Sequence, residues 1–189
     1  MTELWLVRHG QTDWNLTGRW QGQASFAPGL NETGRRQVLA MCEQLKDETF
    51  SAIYSSDLLR AQQTAELIAA PRGMTVILEP RLREIDLGVW EGMPSEEIEA
   101  RYAKELMERD QDPFYSRSPN GESPEDVSKR VLAAVDEIAS AHPDGSVLIV
   151  SHGIALAVII CQAEGFAMQE VYQRIPDNAH PYRVQWKTS

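Results

Sequence analysis

Cysteine, long apolar runs and positive charge are what this sequence has least of, and each shortage removes a class of protein. The two cysteines, Cys42 and Cys161, both stand inside apolar helical patterns. They read as buried free thiols in a reducing compartment, not as the framework of a disulfide-stapled fold. No apolar run reaches the roughly eighteen residues that a membrane-spanning helix requires. Eighteen basic residues face 28 acidic ones, for a net charge of −10. Nucleic acid and anionic membrane both need a basic footprint, so neither is expected as a partner. Met1-Thr2-Glu3 offers no basic region and no small-residue cleavage site, and the expected address is the cytoplasm. HExxH, cysteine–histidine ligand spacings and a Gly-x-Ser-x-Gly elbow are missing too. Neither a metal site nor that serine chemistry is expected.

What is present is enough apolar residue, 42 % of 189, for one well-packed domain over residues 1–189 with a small lid segment at about 85–124. Leu4–Val7 is a short apolar run that reads as a strand, followed by a long loop carrying Gly18, Gly22, Pro28 and Gly29. A helix is expected from Glu32 to Lys46, with Val38, Met41, Cys42 and Leu45 on one face. Ala52–Ser55 reads as a second strand. Asp57 is the expected N-cap of a helix that turns Ala61, Ala65 and Ile68 inward. Thr75–Leu78, Val147–Val150 and Tyr182–Lys187 are further strands, while Glu125–Ala141 and Ile154–Gln162 are further helices. Residues 84–112 stand apart, with ten acidic and three basic residues for a balance of −7. Glu97 with Arg101, and Glu105 with Arg109, have the i,i+4 spacing of helical ion pairs. Strands alternating with helices predict an α/β three-layer sandwich, a mostly parallel central sheet with helices on both faces.

In such sheets ligands bind beyond the carboxyl ends of the strands. Arg8 and His9 end the first strand, Ser55, Ser56 and Arg60 follow the second, and His152 and Gly153 follow the most apolar one. Paired guanidinium groups match phosphate oxygens, and helix-start amides add donors for an anion. Phosphoryl transfer needs mainly that neutralisation and an aligned nucleophile, which a neutral imidazole can supply. The leaving alkoxide then needs a proton, and Glu84, after Arg81-Leu82-Arg83, is the candidate acid.

Leu6-Val7-Arg8-His9-Gly10-Gln11-Thr12 with Trp14-Asn15 resembles the signature of the histidine phosphatase superfamily, on its cofactor-dependent phosphoglycerate-mutase-like branch. Gln21-Gly22, Ser55-Ser56-Asp57-Leu58 with Arg60-Ala61, Glu84 with Gly88-Trp90-Glu91-Gly92, Gly121-Glu122-Ser123 and Ser151-His152-Gly153 continue the match in order. The resemblance implies a phosphoglycerate-mutase-like fold, His9 as phosphorylated nucleophile and Glu84 as proton donor. It implies Arg8, Arg60 and His152 as a phosphate clamp, with Thr12, Asn15, Gln21, Gly22 and Gly153 at the substrate, and neither metal nor other cofactor. The run Gln23 to Leu30 departs from the family pattern, being slightly longer and lacking its aspartate. The partner implied is a small phosphorylated metabolite; oligomeric state, a homodimer included, is left open.

Rival chemistries fit less well. A cysteine phosphatase needs an arginine six residues after its nucleophile, where Cys42 and Cys161 have Glu48 and Ala167. Asp110-Gln111-Asp112 resembles a haloacid-dehalogenase aspartate pair but follows an acidic helix instead of an apolar strand. A module that only binds phosphate would have little reason to keep both His9 and Glu84. Mutases resembling this chain carry a longer, basic insertion after the acid. The short acidic segment here predicts hydrolysis, with neutral or weakly charged leaving groups, and makes a phosphoglycerate mutase the alternative. Arg81, Arg83 or Arg117 folding inward is what would undo that preference. Trp14 and Trp20 are expected in loop packing or a pocket wall, and His142 and His180 at the surface.

Overall fold

Val147 to Ser151 are buried without a break, so the strand that contains them needs cover on both faces. The computed structural model, which describes residues 1–188, supplies it with helices on either side of a five-stranded sheet. In chain order the strands are β1 (Thr2–Arg8), β2 (Ala52–Ser55), β3 (Val76–Leu78), β4 (Ser146–Ser151) and β5 (Pro181–Trp186). Their order across the sheet is β3-β2-β4-β1-β5. β1, β4, β2 and β3 run parallel, and β5 is antiparallel to β1. All five expected strands are present.

Side chains along a strand alternate between faces, and the core divides accordingly. Leu4, Leu6, Val147 and Ile149 point into one cluster with Val127, Val131, Val135, Leu156 and Ile159. Val7, Leu148 and Val150 point into the other with Val38, Met41, Ala61, Ala65 and Ile68. The first layer is therefore α6 (Pro124–Ala141) with α7 (Gly153–Glu164), and the second is α2 (Glu32–Gln44) with α3 (Leu59–Ala69). Ser123 caps α6 in a reciprocal capping box with Asp126, and Pro124 takes its first position.

Four details differ from the sequence expectation. A one-turn helix α1 (Asp13–Leu16) interrupts the loop after β1, capped by Thr12 and Asn15. Asp57 does not cap α3, whose N-cap Leu58 makes no side-chain bond. Arg83 holds the Asp57 carboxylate instead through Nε and Nη2 at 2.6 and 2.5 Å, and two charge-assisted bonds outweigh one to an amide. The acidic stretch is two helices, α4 (Ser95–Arg101) and α5 (Ala103–Gln111), broken at Tyr102, whose ring packs on Trp90 with centroids 5.8 Å apart. Cys161 is buried as expected, but Cys42 only partly; both are free.

Residues 84–124 run beside the carboxyl ends of the central strands. They are tied to the loop after β1 by Trp20 N–H to Met93 O (3.0 Å) and Gly92 N–H to Trp20 O (2.7 Å), and closed on themselves by Glu122 N–H to Asp86 O (2.8 Å). No described helix is long and apolar enough to cross a membrane.

Candidate active site

β1 ends by delivering His9 into the sheet's carboxyl edge, where it is 3 % exposed. Its Nδ1 lies 2.8 Å from the Gly10 carbonyl, which can only accept, so Nδ1 carries the ring proton. Nε2 is then the lone-pair nitrogen, and Arg60 Nε–H donates to it at 3.2 Å. Burial, and next the charges of Arg60 and Arg8, hold the imidazole pKa well below 6.5 and keep the ring neutral. Asn178 grips the backbone from the other side, its Nδ2 donating to His9 O at 2.7 Å.

Arg60 is 2 % exposed, in the first turn of α3, and Nη2 donates to Gly22 O at 2.8 Å. Burial pulls its pKa down to about 10, which leaves it charged at neutral pH. Gly22 has φ +52°, and a Cβ there would collide with the Glu91 carboxylate, so this position needs glycine. Arg8 donates from Nη1 to Pro176 O at 3.0 Å, and its pKa is lowered, mainly by burial. These bonds from both guanidinium groups go to neutral acceptors, so two cationic charges are buried here without carboxylate hydrogen-bond partners.

His152, fully buried after β4, stands against His9 with ring centroids 5.2 Å apart. Its Nε2 is 2.8 Å from Ser56 Oγ, while its Nδ1 and Arg8 Nε are buried with no partner. Its pKa too lies well below 6.5, from burial first and Arg60 second.

Glu84 faces the same cavity, its carboxylate held at the start of α7. Ile154 N–H reaches Oε1 and Oε2 at 3.1 and 3.3 Å, Ala155 N–H reaches Oε1 at 3.4 Å and Ile85 N–H reaches Oε1 at 2.9 Å. The helix-start amides of Ile154 and Ala155, expected to meet an anion directly, thus orient a carboxylate. Gly153 lies against that arrangement, since a Cβ on it would be 3.3 Å from Glu84 Oε2.

The shared cavity is about 340 Å³, at the small end for metabolite pockets. Asn15, Gln21 and Gly22 line it; Thr12 does not, and acts from behind. Thr12 N–H donates to Asn15 Oδ1 at 3.0 Å and Thr12 Oγ1 to Gln21 Oε1 at 3.0 Å. With the acceptor ends tied back, the –NH2 ends of both amides are left for the cavity. His152 and Gly153 also sit outside the lining, one beneath His9 and the other beneath Glu84.

Sequence reasoning reached the mouth only through Trp20, as a pocket wall, and Arg117, as an inward-folding arginine, and missed Arg19, Arg109 and Tyr172. Arg19, Arg109 and Arg117 line it together with Trp20 and Tyr172. Arg109 does not pair with Glu105. Its nearest carboxylate is Asp110 at 3.6 Å, and its guanidinium stands 5.2 Å from the Trp20 ring centroid and 5.3 Å from that of Tyr172. Glu97–Arg101 does form, at 2.6 Å. Arg81 and Arg83 point away, to Glu79 with Glu137 and to Asp57, whereas Arg117 turns to the cavity beside Asp126 at 3.0 Å. Trp14 packs on Phe26, His142 bonds Tyr54, and His180 is exposed. Among the described residues no cluster of three or more His, Cys, Asp or Glu could hold a metal ion.

Residues 4–189 match the model of the histidine phosphatase superfamily, branch 1. The chain belongs to that family. It is 34 % identical over 179 residues to phosphoserine phosphatase 1 of Hydrogenobacter thermophilus, covering 95 % of this chain and 84 % of the relative. It is 40 % identical over 163 residues to the probable phosphoglycerate mutase GpmB of Cronobacter sakazakii, covering 85 % and 74 %. The solved mycobacterial glucosyl-3-phosphoglycerate phosphatase complexed with VO3 superposes with TM-score 0.87 at 30 % identity, covering 99 % and 96 %. This histidine phosphatase is thus an enzyme of the phosphohydrolase kind with the family's fold.

Proposed function

We propose that the chain hydrolyses small phosphate monoesters through a phosphohistidine on His9, within one domain whose segment at about 85–124 serves as a lid. The observation that carries this reading is the fixed tautomer of His9, which leaves an uncharged Nε2 lone pair at a cavity ringed by buried guanidinium groups. A dianionic phosphoryl group compensates the charges of Arg8 and Arg60, which lack carboxylate hydrogen-bond partners. It also offers acceptors to the amide ends of Asn15 and Gln21. Nε2 attacks phosphorus, the bond to the ester oxygen breaks, and Glu84 as the acid gives that oxygen a proton. Water then attacks phosphorus, Glu84 takes its proton, and the P–N bond breaks to release phosphate and neutral His9. His152 acts from beneath, fixing the His9 ring and the phosphate side of the site.

Water as acceptor is supported by the mouth. Arg19 is exposed and the Arg117 side chain is 57 % exposed, so the cavity opens to solvent. The mutase reading keeps one supporting observation, the arginines of that mouth, which suit a phosphoglycerate. Rapid quenching with labelled p-nitrophenyl phosphate should give an acid-labile, base-stable phosphoenzyme that disappears in His9→Ala. Labelling that survives the substitution overturns the assignment. Interconversion of 3- and 2-phosphoglycerate faster than phosphate release from any ester selects the mutase.

A further inference from the structure

β1 loses a neighbour just where the chemistry begins. β5 starts at Pro181, opposite Val7, and a proline has no N–H to give to a ladder. Past that point the chain that precedes β5 folds across the end of β1 as a strap. Ala179 N–H donates to Arg8 O at 2.9 Å and Asn178 Nδ2 donates to His9 O at 2.7 Å. Arg8 and Asn178 form a parallel bridge, and Arg8 Nη1 reaches Pro176 O of the same strap at 3.0 Å. The path strains the backbone. Ala179 sits at φ +50°, in the left-handed region that a Cβ disfavours. A residue stays there only when its surroundings over-determine it, and such residues concentrate at functional sites. Here the surroundings are the Arg8 carbonyl and the second core cluster, against which Ala179 packs.

Asn178 acts on one peptide plane. The carbonyl it binds belongs to the His9–Gly10 peptide, whose N–H, on Gly10, donates to Thr64 Oγ1 at 3.1 Å. Thr64 is fully buried in α3 and gives its own proton to Arg60 O at 2.8 Å, which leaves its oxygen to accept. The plane is therefore pinned at both ends, from the strap and from α3. Gly10 is seated as well, since a Cβ on it would stand 2.7 Å from Gly34 O. What these contacts fix is the next carbonyl, Gly10 O, which takes the Nδ1 proton of His9 at 2.8 Å. We propose that Asn178 is a positioning residue for the nucleophile. With Thr64 it holds the plane that sets Gly10 O, and so keeps the His9 lone pair on Nε2 and directed at the phosphoryl site. This role rests on His9 being the nucleophile, and Asn178 performs it from outside the cavity lining.

Two shape-conserving substitutions test this, Asn178→Leu and Thr64→Val, each leaving one end of the plane without its partner. Each should slow phosphoenzyme formation from p-nitrophenyl phosphate by about 10–10²-fold, the scale of an ångström-level misplacement of a reacting group. Inhibition by inorganic phosphate should stay within about threefold of the unmodified protein, because Arg8 and Arg60 keep their own anchors. Together the two substitutions should cost less than the product of their separate effects, since both release one plane. Asn178→Gln keeps an amide donor and should recover part of the rate. Nitrogen NMR on isotope-labelled histidine should show one His9 tautomer, protonated at Nδ1, in the unmodified protein and a mixture in Asn178→Leu. Unchanged phosphorylation rates overturn the role, and so does an undisturbed tautomer. A rate loss matched by an equal loss of phosphate binding overturns it too, because that pattern marks a general disturbance of the site. Thr64→Val, on a different element, reads the same split should Asn178→Leu fail to fold. Failure of the phosphohistidine reading shows elsewhere, as absence of a phosphoenzyme in the unmodified protein, and leaves the tautomer comparison interpretable.

Discussion

Arg60 and Arg117 line one cavity, yet they are held in opposite ways. Arg60 is 2 % exposed and locked between His9 Nε2 and Gly22 O, so its position is set by β1, α3 and a glycine turn at once. Arg117 has a side chain 57 % exposed, and its ion pair is to the carboxylate that also caps α6. The floor of the cavity is over-determined by the sheet, as a site that must align a nucleophile within fractions of an ångström requires. The mouth is assembled from loops and a short helix that pack on one another, where substitution can change the substrate without disturbing the fold. Chemistry and selectivity should therefore separate under mutation.

The largest expected effect is at the floor. His9→Ala removes the nucleophile and should lower kcat by about 10⁴-fold or more, while leaving phosphate esters able to bind. A loss confined to KM would break the distinction. Glu84→Gln comes next. It should cost roughly 10²–10⁴-fold on alkyl phosphates and far less on p-nitrophenyl phosphate, whose leaving group needs no proton. Equal losses on both esters would remove Glu84 from the acid role.

Arg130 tests what joins the two regions. Its Nη1 donates to Arg81 O and Arg83 O at 2.8 and 2.7 Å, and its Nη2 to Glu84 O at 2.9 Å. It also binds both oxygens of Glu122. One side chain of α6 thus fixes the backbone from which Glu84 projects, as a positioning residue. Arg130→Leu should lower stability by about 2–4 kcal/mol, because three carbonyls and a partly buried carboxylate lose their partner. It should also reproduce, in weaker form, the leaving-group dependence of Glu84→Gln. Destabilisation with equal losses on both esters would make its role purely structural.

Acid should reveal the floor as well. His9 and His152 are held neutral in the folded protein, their pKa values depressed below 6.5. Unfolded, each binds a proton as pH falls through about 6.5, so the unfolded state takes up more protons below that point. Their contribution to stability is present above pH 6.5 and is lost progressively as pH falls toward the folded values. Phosphoenzyme formation should show no inflection near 6.5, since His9 stays unprotonated there. Urea midpoints across pH 5–8 and single-turnover rates measure the two, and an inflection near 6.5 in the rate would contradict the buried neutral imidazole.

The same division explains what could be read from the sequence. β1, β2 and β4 announce themselves as apolar runs, and Arg8, His9, Arg60 and His152 follow at their ends, so sequence reasoning brings these four together without coordinates. Sheet order does not show in periodicity, and neither does the antiparallel sense of β5. Arg109 was misread because its spacing from Glu105 satisfies a local rule. The break at Tyr102 and the rings of Trp20 and Tyr172, distant in sequence, decide its direction instead. Tyr172 lies in a 3₁₀ stretch, Met168–Arg174, with no motif to mark it. A lone aromatic flanked by a gap in the strand–helix alternation was the signal available. Asp57 was misread similarly, since a cap is a local inference and Arg83 is 26 positions away.

The smallest effect belongs to Arg81, and it sharpens the comparison because Arg81 is as rich in partners as any arginine here. Its guanidinium bonds both oxygens of Glu79 and both of Glu137, at distances from 2.7 to 3.0 Å. These pairs push its pKa up, Glu137 most and Glu79 next, so the residue is a permanent cation three positions before Glu84. Proximity in sequence and strong pairing would both nominate it for the site. Yet it faces outward, its side chain is 37 % exposed, and water and salt screen such pairs until little of their attraction remains. Only its backbone carbonyl, which accepts from Arg130, serves the Glu84 segment, and a side-chain substitution keeps that carbonyl. Arg81→Ala should therefore leave kcat/KM and its leaving-group dependence unchanged. Steady-state assays check it: a fall in kcat/KM for Arg81→Ala would mean that diffuse positive charge, rather than the arginines lining the cavity, draws in the substrate.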